Sequence, residues 1–307
     1  MLRKAIMLSA ILGLLMGCSP GGPYAKKDGK WYFEKTEMAV PAGETLTPLN
    51  RRFAKSKTMA FFRESPIPGA DVASFEALSE HYARDRTHVW WGDTYREGQE
   101  YFLIVHTRIT ELEGADPASF VALDQDYGRD RSRVWYEGKP FTAEAATFEV
   151  LDYGYARDSA SGYYMRSPIP GSDGKTFSVI DDNWSKDAGR VFWSDIDLNP
   201  SPPQLVNRIV GGADPKTFQA LEGDYAKDAA HVWFEGQVVE GADPATFVVG
   251  AQPDGGDAKD RSGSWKGGAT LAAANAQAAA AAAAEAEPAA DVETEAAEPA
   301  ETTPGKN

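Results

Sequence analysis

The stretch Tyr225–Gly236, which reads YAKDAAHVWFEG, is followed closely by Gly241–Val248, which reads GADPATFV. Variants of this pair recur along most of the chain, and each variant begins with a large aromatic residue. The seven first aromatics are Tyr24, Phe53, Tyr82, Tyr127, Tyr155, Trp184 and Tyr225. Because self-similarity of this kind is the signature of repeat architectures, we number these stretches repeats one to seven.

Each repeat ends at a large apolar closing residue, which divides the unit into a fixed part and a variable part. The closing residues are Leu46, Phe75, Phe120, Phe148, Phe177, Phe218 and Phe247. The next first aromatic always comes seven positions later, whereas the separations from first aromatic to closing residue are 22, 22, 38, 21, 22, 34 and 22. The sequence therefore predicts a structurally fixed junction between repeats, with insertions confined to repeats three and six.

The residue types within a repeat predict two short strands joined by a turn, followed by one short helical turn. In most repeats an acid stands three positions after the first aromatic: Asp85, Asp130, Asp158, Asp187 and Asp228. We expect these acids to cap the turn, because an Asp side chain can accept bonds from backbone N–H groups two residues on. Glu-Gly pairs then mark a second turn. Gly-Ala-Asp-Pro after them places Asp and Pro at the favoured start of a helical turn.

An apolar triplet stands seven to nine positions after each first aromatic, for example Val134-Trp135-Tyr136. Three such residues in a row place apolar side chains on both faces of a strand. Stacking between neighbouring repeats would bury both faces, and the repeat architecture favours this interpretation. The alternative is an exposed aromatic ladder that binds a ligand, with Trp90, Trp135 and Trp233 as the candidate binding residues.

These features predict a mainly β fold, a tandem array of about seven short β-hairpin repeats with single helical turns over residues 24–266. The uneven insertions favour an open, solenoid-like stack, and the alternative is a closed, propeller-like ring. Residues 257–265 resemble a degenerate half-repeat that caps the array. Residues 267–307 are rich in Ala, Glu and Pro and are expected to form a disordered acidic tail, in which Leu271–Glu287 can form a transient helix.

The N-terminal residues have the pattern of a bacterial secretory signal. Arg3 and Lys4 precede an uncharged apolar run that ends at Met16 and is too short for an ordinary membrane span. Residues 15–18, Leu-Met-Gly-Cys, resemble a lipobox. That resemblance implies a signal peptide over 1–17, a lipidated spacer over 18–23, and acyl chains, palmitate among them, on Cys18. Ser19 rather than Asp follows the cysteine, which favours the outer membrane.

Composition excludes several classes of partner. Formal charge at pH 7 is −15, and loss of Arg3 and Lys4 with the signal peptide changes it to −17, since no acid is removed (−15 − 2). Such a surface repels nucleic acid and anionic headgroups, so membrane attachment must depend on the lipid anchor. Cys18 is the only cysteine, which leaves the exported chain without disulfides or a catalytic thiol.

The sequence contains no recognisable catalytic or metal-binding constellation. Asp195, Asp197 and Asn199 have the opening spacing of a calcium loop, but Pro200 and Val206 stand where that loop needs Gly and Glu. The four histidines, at 81, 88, 106 and 231, lack the spacing of a zinc site. We therefore predict no metal, no cofactor and no catalytic residues.

The repeat resembles the DKNYY family, which is named for an Asp-Lys-Asn core followed by paired tyrosines. The matching stretches are Asp85–Trp91, Asp130–Tyr136 and Asp228–Phe234, each followed by a Gly-Ala-Asp-Pro element or a close variant of it. Lys and Asn of the name are replaced here, and Trp or Phe often replaces Tyr. The resemblance extends over nearly all of residues 24–250 and implies a bacterial envelope protein without known catalytic residues.

The sequence thus predicts a lipid-anchored envelope protein whose β-repeat scaffold serves protein–protein or envelope association. One alternative is a glycan- or peptidoglycan-binding module that uses the repeat aromatics, because aromatic faces stack on sugars. A hydrolase is the third and weakest hypothesis, since no set of reactive residues supports it.

Overall fold

The computed structural model describes residues 22–98 and 101–286. The chain divides into two compact units, residues 1–182 and 183–307, and each is described by itself. The expected signal peptide over 1–17, the lipidation site Cys18 and residues 287–307 of the expected tail lie outside the described residues.

The first unit contains five complete antiparallel sheets. Sheet one joins β1 (Tyr24–Lys27), β2 (Lys30–Phe33) and β3 (Thr36–Glu37). Sheet two joins β4 (Thr47–Pro48), β5 (Phe53–Lys55), β6 (Ala60–Phe62) and β7 (Ser65–Pro66). Sheet three joins β8 (Glu76–Ala77), β9 (Tyr82–Arg84), β10 (Val89–Tyr95) and β11 (His106–Glu111).

The remaining elements of this unit follow the same plan. Sheet four joins β12 (Val121–Ala122), β13 (Tyr127–Arg129), β14 (Val134–Tyr136) and β15 (Lys139–Phe141). Sheet five joins β16 (Glu149–Val150), β17 (Tyr155–Arg157), β18 (Gly162–Tyr164) and β19 (Ser167–Pro168). A 3-10 turn, Asp152–Gly154, precedes β17, and β20 (Ser178–Val179) comes after β19.

The second unit contains three more hairpins of the same kind and one helix. Its first strands are β21 (Trp184–Lys186), β22 (Val191–Asp197) and β23 (Gln204–Ile209). The next sheet joins β24 (Gln219–Ala220), β25 (Tyr225–Lys227), β26 (Val232–Phe234) and β27 (Gln237–Val238). The last joins β28 (Val248–Val249), β29 (Ala258–Asp260), β30 (Gly263–Lys266) and β31 (Ala269–Thr270), and α1 (Leu271–Ala286) follows it.

The central hairpin keeps one register in every repeat. The first aromatic pairs with the third triplet residue, as in Tyr82 with Trp91 and Tyr225 with Phe234. The next residue, usually a small one, pairs with the middle of the triplet, as in Ala83 with Trp90. This constancy confirms the mainly β tandem array that the spacing predicts.

The fixed junction of seven positions is a short strand followed by a tight turn. After the closing residue Phe75, the strand β8 pairs with β9, and the N–H of Leu78 donates to the carbonyl of Tyr82 at 2.8 Å. No residue can be added here without shifting the register and turning every side chain of the strand to the opposite face. The sequence interpretation missed this strand, because two residues are too few to show an alternating pattern.

The Glu-Gly pairs form the tight turns that the sequence predicts. Glu137 and Gly138 have φ of 46° and 72°, and Glu235 and Gly236 have φ of 48° and 75°. Positive φ at both central residues defines the type I′ turn, whose twist matches that of a hairpin. A side chain at Gly138 would also collide with the preceding repeat, because its Cβ would lie 2.6 Å from Cγ of Trp91.

A run of aromatic rings forms the core of each unit. In the first unit the ring of Phe120 lies 5.3 Å from that of Tyr82, its own first aromatic, and 5.6 Å from Trp135 of the next repeat. In the second unit Phe218 lies 5.1 Å from Trp184 and 5.5 Å from Trp233 in the same way. The closing residue therefore joins consecutive repeats, which explains why it is always large and apolar.

Gly-Ala-Asp-Pro forms a single turn rather than a helix. The N–H of Ser119 donates to the carbonyl of Asp116 at 3.2 Å, and the Asp116 carboxylate accepts from the N–H of Ala118 at 3.1 Å. The expected capping by Asp is present. The turn stops after one cycle because Phe120 then enters the core.

The C-terminal boundary lies beyond the predicted one. Ala258 pairs with Trp265 in the register of the central hairpin, so the expected half-repeat is a full eighth sheet. Its last strand extends to Thr270, past the predicted limit at 266, and α1 follows in the part of the expected tail, Leu271–Glu287, for which a transient helix is predicted. The physical reasons are that Trp265 is buried and that Ala has the highest helix propensity.

Among the described residues no helix is both long and apolar enough to cross a bilayer.

Candidate functional site

The acid that recurs in most repeats joins two turns of the backbone. One carboxylate oxygen of Asp130 accepts from the N–H groups of Ser132 and Arg133, both at 2.7 Å, which closes the turn of its own hairpin. The other oxygen accepts from the N–H of Asp116 at 2.9 Å, in the turn that precedes the hairpin. Equivalent pairs of contacts are made by Asp85, Asp158, Asp228 and Asp260.

These carboxylates stay ionised, although all of them except Asp260 are buried. Burial by itself raises the pKa of the Asp85 carboxyl, but donation from the N–H groups of Asp71, Thr87 and His88 holds that pKa below its usual value. The pKa is lowered by the same balance at Asp130, Asp158, Asp228 and Asp260. The role of these acids is therefore the structural capping that the sequence predicts.

The basic residue just before the acid makes the complementary contact with the following turn. Nη1 of Arg84 donates to the carbonyls of Pro117 and Phe120 at 2.8 and 3.0 Å. Nζ of Lys227 donates likewise to Pro244 and Phe247 at 3.1 and 3.0 Å. Lys55, Arg129, Arg157 and Lys186 reach carbonyls in the equivalent turns.

The sequence interpretation missed this basic residue, although a signal was present. A Lys or Arg stands two positions after the first aromatic in all seven repeats, which is more regular than the acid itself. The adjacent basic and acidic residues thus hold the turns on either side of their hairpin. We call this pair the turn clamp.

The three tryptophans predicted as candidate binding residues are core residues. Trp90, Trp135 and Trp233 are only 2, 1 and 0 % exposed. Each packs against the closing phenylalanine of the preceding repeat, for example Trp90 on Phe75 at 5.7 Å. The exposed aromatic ladder is therefore wrong for these residues, because stacking covers both faces of the strand, as the favoured interpretation proposes.

A polar cavity of about 470 Å³ opens in the first unit where the central hairpins begin. Pro23, Arg52 and His81, which precede the first aromatics of repeats one to three, all line it. Arg51 and Arg63 line it as well, together with Glu34 and Glu80, the two carboxylates of its wall. Three guanidinium groups and two carboxylates thus line the cavity, a small positive excess in a chain whose net charge is −15.

The side chains of this cavity hold one another in place. Nη1 of Arg52 donates to Nε2 of His81 at 2.8 Å, and Nδ1 of His81 donates to the carbonyl of Gly92 at 2.7 Å. Both ring nitrogens of this histidine are therefore engaged, one by a guanidinium group and the other by a backbone carbonyl. The guanidinium of Arg63 lies 4.5 Å above the ring of Phe33 and 3.8 Å from a carboxylate oxygen of Glu34. This arrangement suits the binding of an anionic group and offers no acid–base pair.

Of the remaining histidines, His88 and His106 are in repeat three and His231 is in repeat seven. Nδ1 of His88 lies 3.3 Å from Asp85, and that of His231 lies 3.9 Å from Asp228. His106 stacks on Tyr95 at 5.2 Å. Over residues 22–98 and 101–286, no three His, Cys, Asp or Glu side chains are grouped so that they could hold a metal ion.

Comparison with known proteins identifies the repeat. The family model described as the DKNYY family matches residues 10–94, and this match supports the interpretation of the repeat as a DKNYY family repeat. The matched residues include the central hairpins of repeats one to three, and repeats four to seven keep their register. No curated protein and no solved structure matches the chain.

Proposed function

We propose that this DKNYY repeat protein is a lipid-anchored component of the bacterial cell envelope, and that its β repeats serve as a non-catalytic scaffold for protein–protein or envelope association. Residues 15–18 carry the lipobox pattern that supports the anchor on Cys18, and Ser19 supports an outer-membrane address. The chain would then be held at the membrane by acyl chains, since two or more give stable attachment.

The observation that carries the scaffold proposal is the turn clamp. In several repeats, the side chains of a buried Asp and of its basic neighbour form hydrogen bonds with backbone groups of the adjacent turns. A catalytic carboxyl group that acts as an acid or base usually has a pKa shifted toward neutral pH, so that it can exchange protons there. Here the pKa shift is downward and recurs in the same structural position, which supports a rigid surface rather than a reaction centre.

The burial of Trp90, Trp135 and Trp233 removes the observation on which the glycan-binding alternative depends. The hydrolase alternative has no group of reactive residues to support it. We therefore propose neither glycan binding nor hydrolysis.

Fractionation of cells that produce the full chain tests the envelope proposal. The wild-type protein should sediment with membranes, resist washing in about 1 M salt, where the Debye length is about 3 Å, and be released by detergent. The Cys18→Ala variant should lose this attachment, while a Ser19→Ala variant should keep it. Recovery of the wild-type protein in the cytoplasm, or equal membrane attachment of Cys18→Ala, would overturn the proposal.

A further inference from the structure

The hairpin of repeat three exposes a continuous apolar segment. Residues Tyr101, Phe102, Leu103, Ile104 and Val105 lie between β10 and β11, and their exposed fractions are 51, 89, 83, 41 and 36 %. Single exposed apolar residues are ordinary, but a continuous run marks a surface that contacts a partner or a membrane. No other insertion within the described residues has five consecutive apolar residues exposed in this way.

The register of the hairpin fixes the direction in which this segment projects. Trp91 pairs with Tyr82, the first residue of β9, and the N–H of Gly92 donates to the carbonyl of His81 at 2.8 Å. Beyond that point β10 continues to Tyr95, so the segment lies past the beginning of β9. Four further residues at about 3.3 Å each carry it roughly 13 Å beyond Trp91.

The N-terminal end of the repeat array lies at the same edge. Pro23, Arg52 and His81 precede the first strands of three consecutive hairpins, and all three line one cavity. The beginnings of these strands therefore share an edge of the first unit. Cys18 is six positions before Tyr24, so its reach from that edge is at most about 20 Å. The projection of the apolar segment and the reach of the anchor are thus of similar length.

The charge of this edge fits a layer of lipid headgroups. Arg51, Arg52 and Arg63 outnumber Glu34 and Glu80 in the lining of its cavity, although the chain as a whole is strongly acidic. The arm of the hairpin is held against this region, because the hydroxyl of Thr107 donates to Glu64 at 2.5 Å and Glu64 lies 3.5 Å from Arg63. Cations at the headgroup level beside aromatic and aliphatic side chains are the usual composition of a membrane-contacting surface.

We propose that Tyr101–Val105 inserts into the bilayer interface beside the acyl chains of Cys18 and fixes the orientation of the first unit on the membrane. This inference rests on the lipid anchor of the proposed function. A protein groove would accommodate the same apolar side chains, but the shared edge with the anchor and the cationic cavity favours lipid. The segment adds a second contact of modest affinity to an anchor that already retains the protein.

The chain provides a matched control in its own second long hairpin. Leu198 is 74 % exposed at the corresponding tip of repeat six, but its neighbours are Asp197, Asn199 and Pro200. This tip is polar and should not enter a bilayer. Phe102→Trp and Leu198→Trp therefore introduce the same reporter at exposed hairpin tips of opposite character.

The experiment uses the full-length protein purified from membranes, with its acylation checked by mass, and reconstituted in phosphatidylcholine vesicles brominated near the carbonyl end of the acyl chains. The unsubstituted protein gives the background of its eight tryptophans. The added emission of Phe102→Trp should fall at least about twofold, as expected for an indole at the interface, and that of Leu198→Trp should be unchanged. Adding Leu103→Asp to Phe102→Trp should restore the emission.

Three results would overturn the inference, and they can be distinguished from one another. If the protein is acylated and Phe102→Trp is not quenched, the anchor stands and the membrane contact is wrong. The proposed lipid contact would also be wrong if an envelope protein, and not vesicles, protected the tryptophan of Phe102→Trp from quenching by iodide. The segment would then bind a protein partner. If Cys18 is not acylated, the proposed function fails and this inference fails with it.

Discussion

At the scale of single residues, the turn clamp accounts for the most regular polar features of the sequence. Each buried Asp needs two acceptor oxygens, one for its own turn and one for the turn before the hairpin. An amide side chain retains only one acceptor oxygen, so Asn cannot satisfy both turns. The clamp therefore requires Asp specifically, and a conservative change should be costly.

Asp130→Asn should lower the free energy of unfolding by about 1–3 kcal/mol, because at least one buried N–H loses its charged acceptor. Urea denaturation followed by tryptophan fluorescence measures the change. Asp152→Asn, at an exposed position, is the matched control and should stay within about 0.5 kcal/mol of the wild type. Equal stability of Asp130→Asn and the wild type would show that the two-sided contact contributes nothing.

The lowered pKa values predict an acid-sensitive fold. A carboxyl whose pKa is depressed by folding contributes stability that is complete above its unfolded pKa, near about 3.9, and is lost as pH falls through the folded value. The fold should therefore lose stability in acid at each carboxyl group with a lowered pKa: Asp85, Asp130, Asp158, Asp228 and Asp260.

Asp126 acts in the opposite sense. Burial raises the pKa of that carboxyl, with Asp124 adding to the rise and His81 opposing it. The contribution of Asp126 to stability therefore increases as pH falls. The five carboxyl groups with lowered pKa values outweigh this one group. The thermal midpoint should be steady from pH 7 to about 5 and should fall steeply below about pH 4. A midpoint that rises on acidification would contradict the assignment of the clamp.

Trp135→Ala should destabilise the fold by about 3–5 kcal/mol, because it leaves a cavity beside Phe120 in a fully buried site. Trp135→Phe should recover a substantial part of that loss. Thermal unfolding by near-ultraviolet circular dichroism checks both variants. Normal stability of Trp135→Ala together with loss of glycan retention would reinstate the binding ladder.

Sequence reasoning at this scale succeeded where both partners are close in the chain. It predicted that the acid caps its own turn, since the accepting and donating groups are two or three residues apart. It could not find the bond from the N–H of Asp116 to Asp130, nor that from Arg84 to Phe120, because these pairs are separated by 14 and 36 positions. The first contact joins two consecutive repeats and the second joins the two ends of repeat three, so neither can be recognised from a local pattern.

At the scale of elements, the spacing of aromatic residues was enough to predict the central hairpins. The two-residue strand after each closing residue was not predictable, since Glu76 and Ala77 show no periodic pattern. The eighth sheet was predicted only as a half-repeat for a related reason. Asp257 replaces the first aromatic there, and only the pairing of Ala258 with Trp265 shows that the hairpin is complete.

That last sheet should be essential for the second unit. A chain that ends at residue 250 exposes Phe247, whose ring lies 6.4 Å from Trp265 in the intact protein. Loss of a terminal repeat removes the interface that stabilises its neighbour, so this variant should unfold at lower urea concentration or become insoluble. A chain that ends at residue 286 keeps the sheet and should match the full-length protein. If both truncations unfold alike, the eighth sheet is not a structural unit.

At the scale of the whole molecule, an acidic composition and a lipobox-like N-terminal pattern occur together with an array of β repeats held by the turn clamp. In the proposed function, membrane attachment depends on the acyl chains and on a local apolar contact, because a strongly negative chain has no general electrostatic attraction to anionic headgroups. The resemblance to the DKNYY family and the β architecture were predictable from the sequence, because a weak motif becomes recognisable when it is repeated. The exposed segment at Tyr101–Val105 was not, since an apolar run in a sequence is more often a buried strand.

The intact mass of the protein extracted from membranes, measured for the wild type beside Cys18→Ala, determines whether Cys18 carries the anchor. The wild-type mass should equal that of the chain beginning at Cys18 plus its acyl groups, and the Cys18→Ala product should carry no acyl groups. An unacylated wild-type chain that retains residues 1–17 would show that the protein is not a lipoprotein.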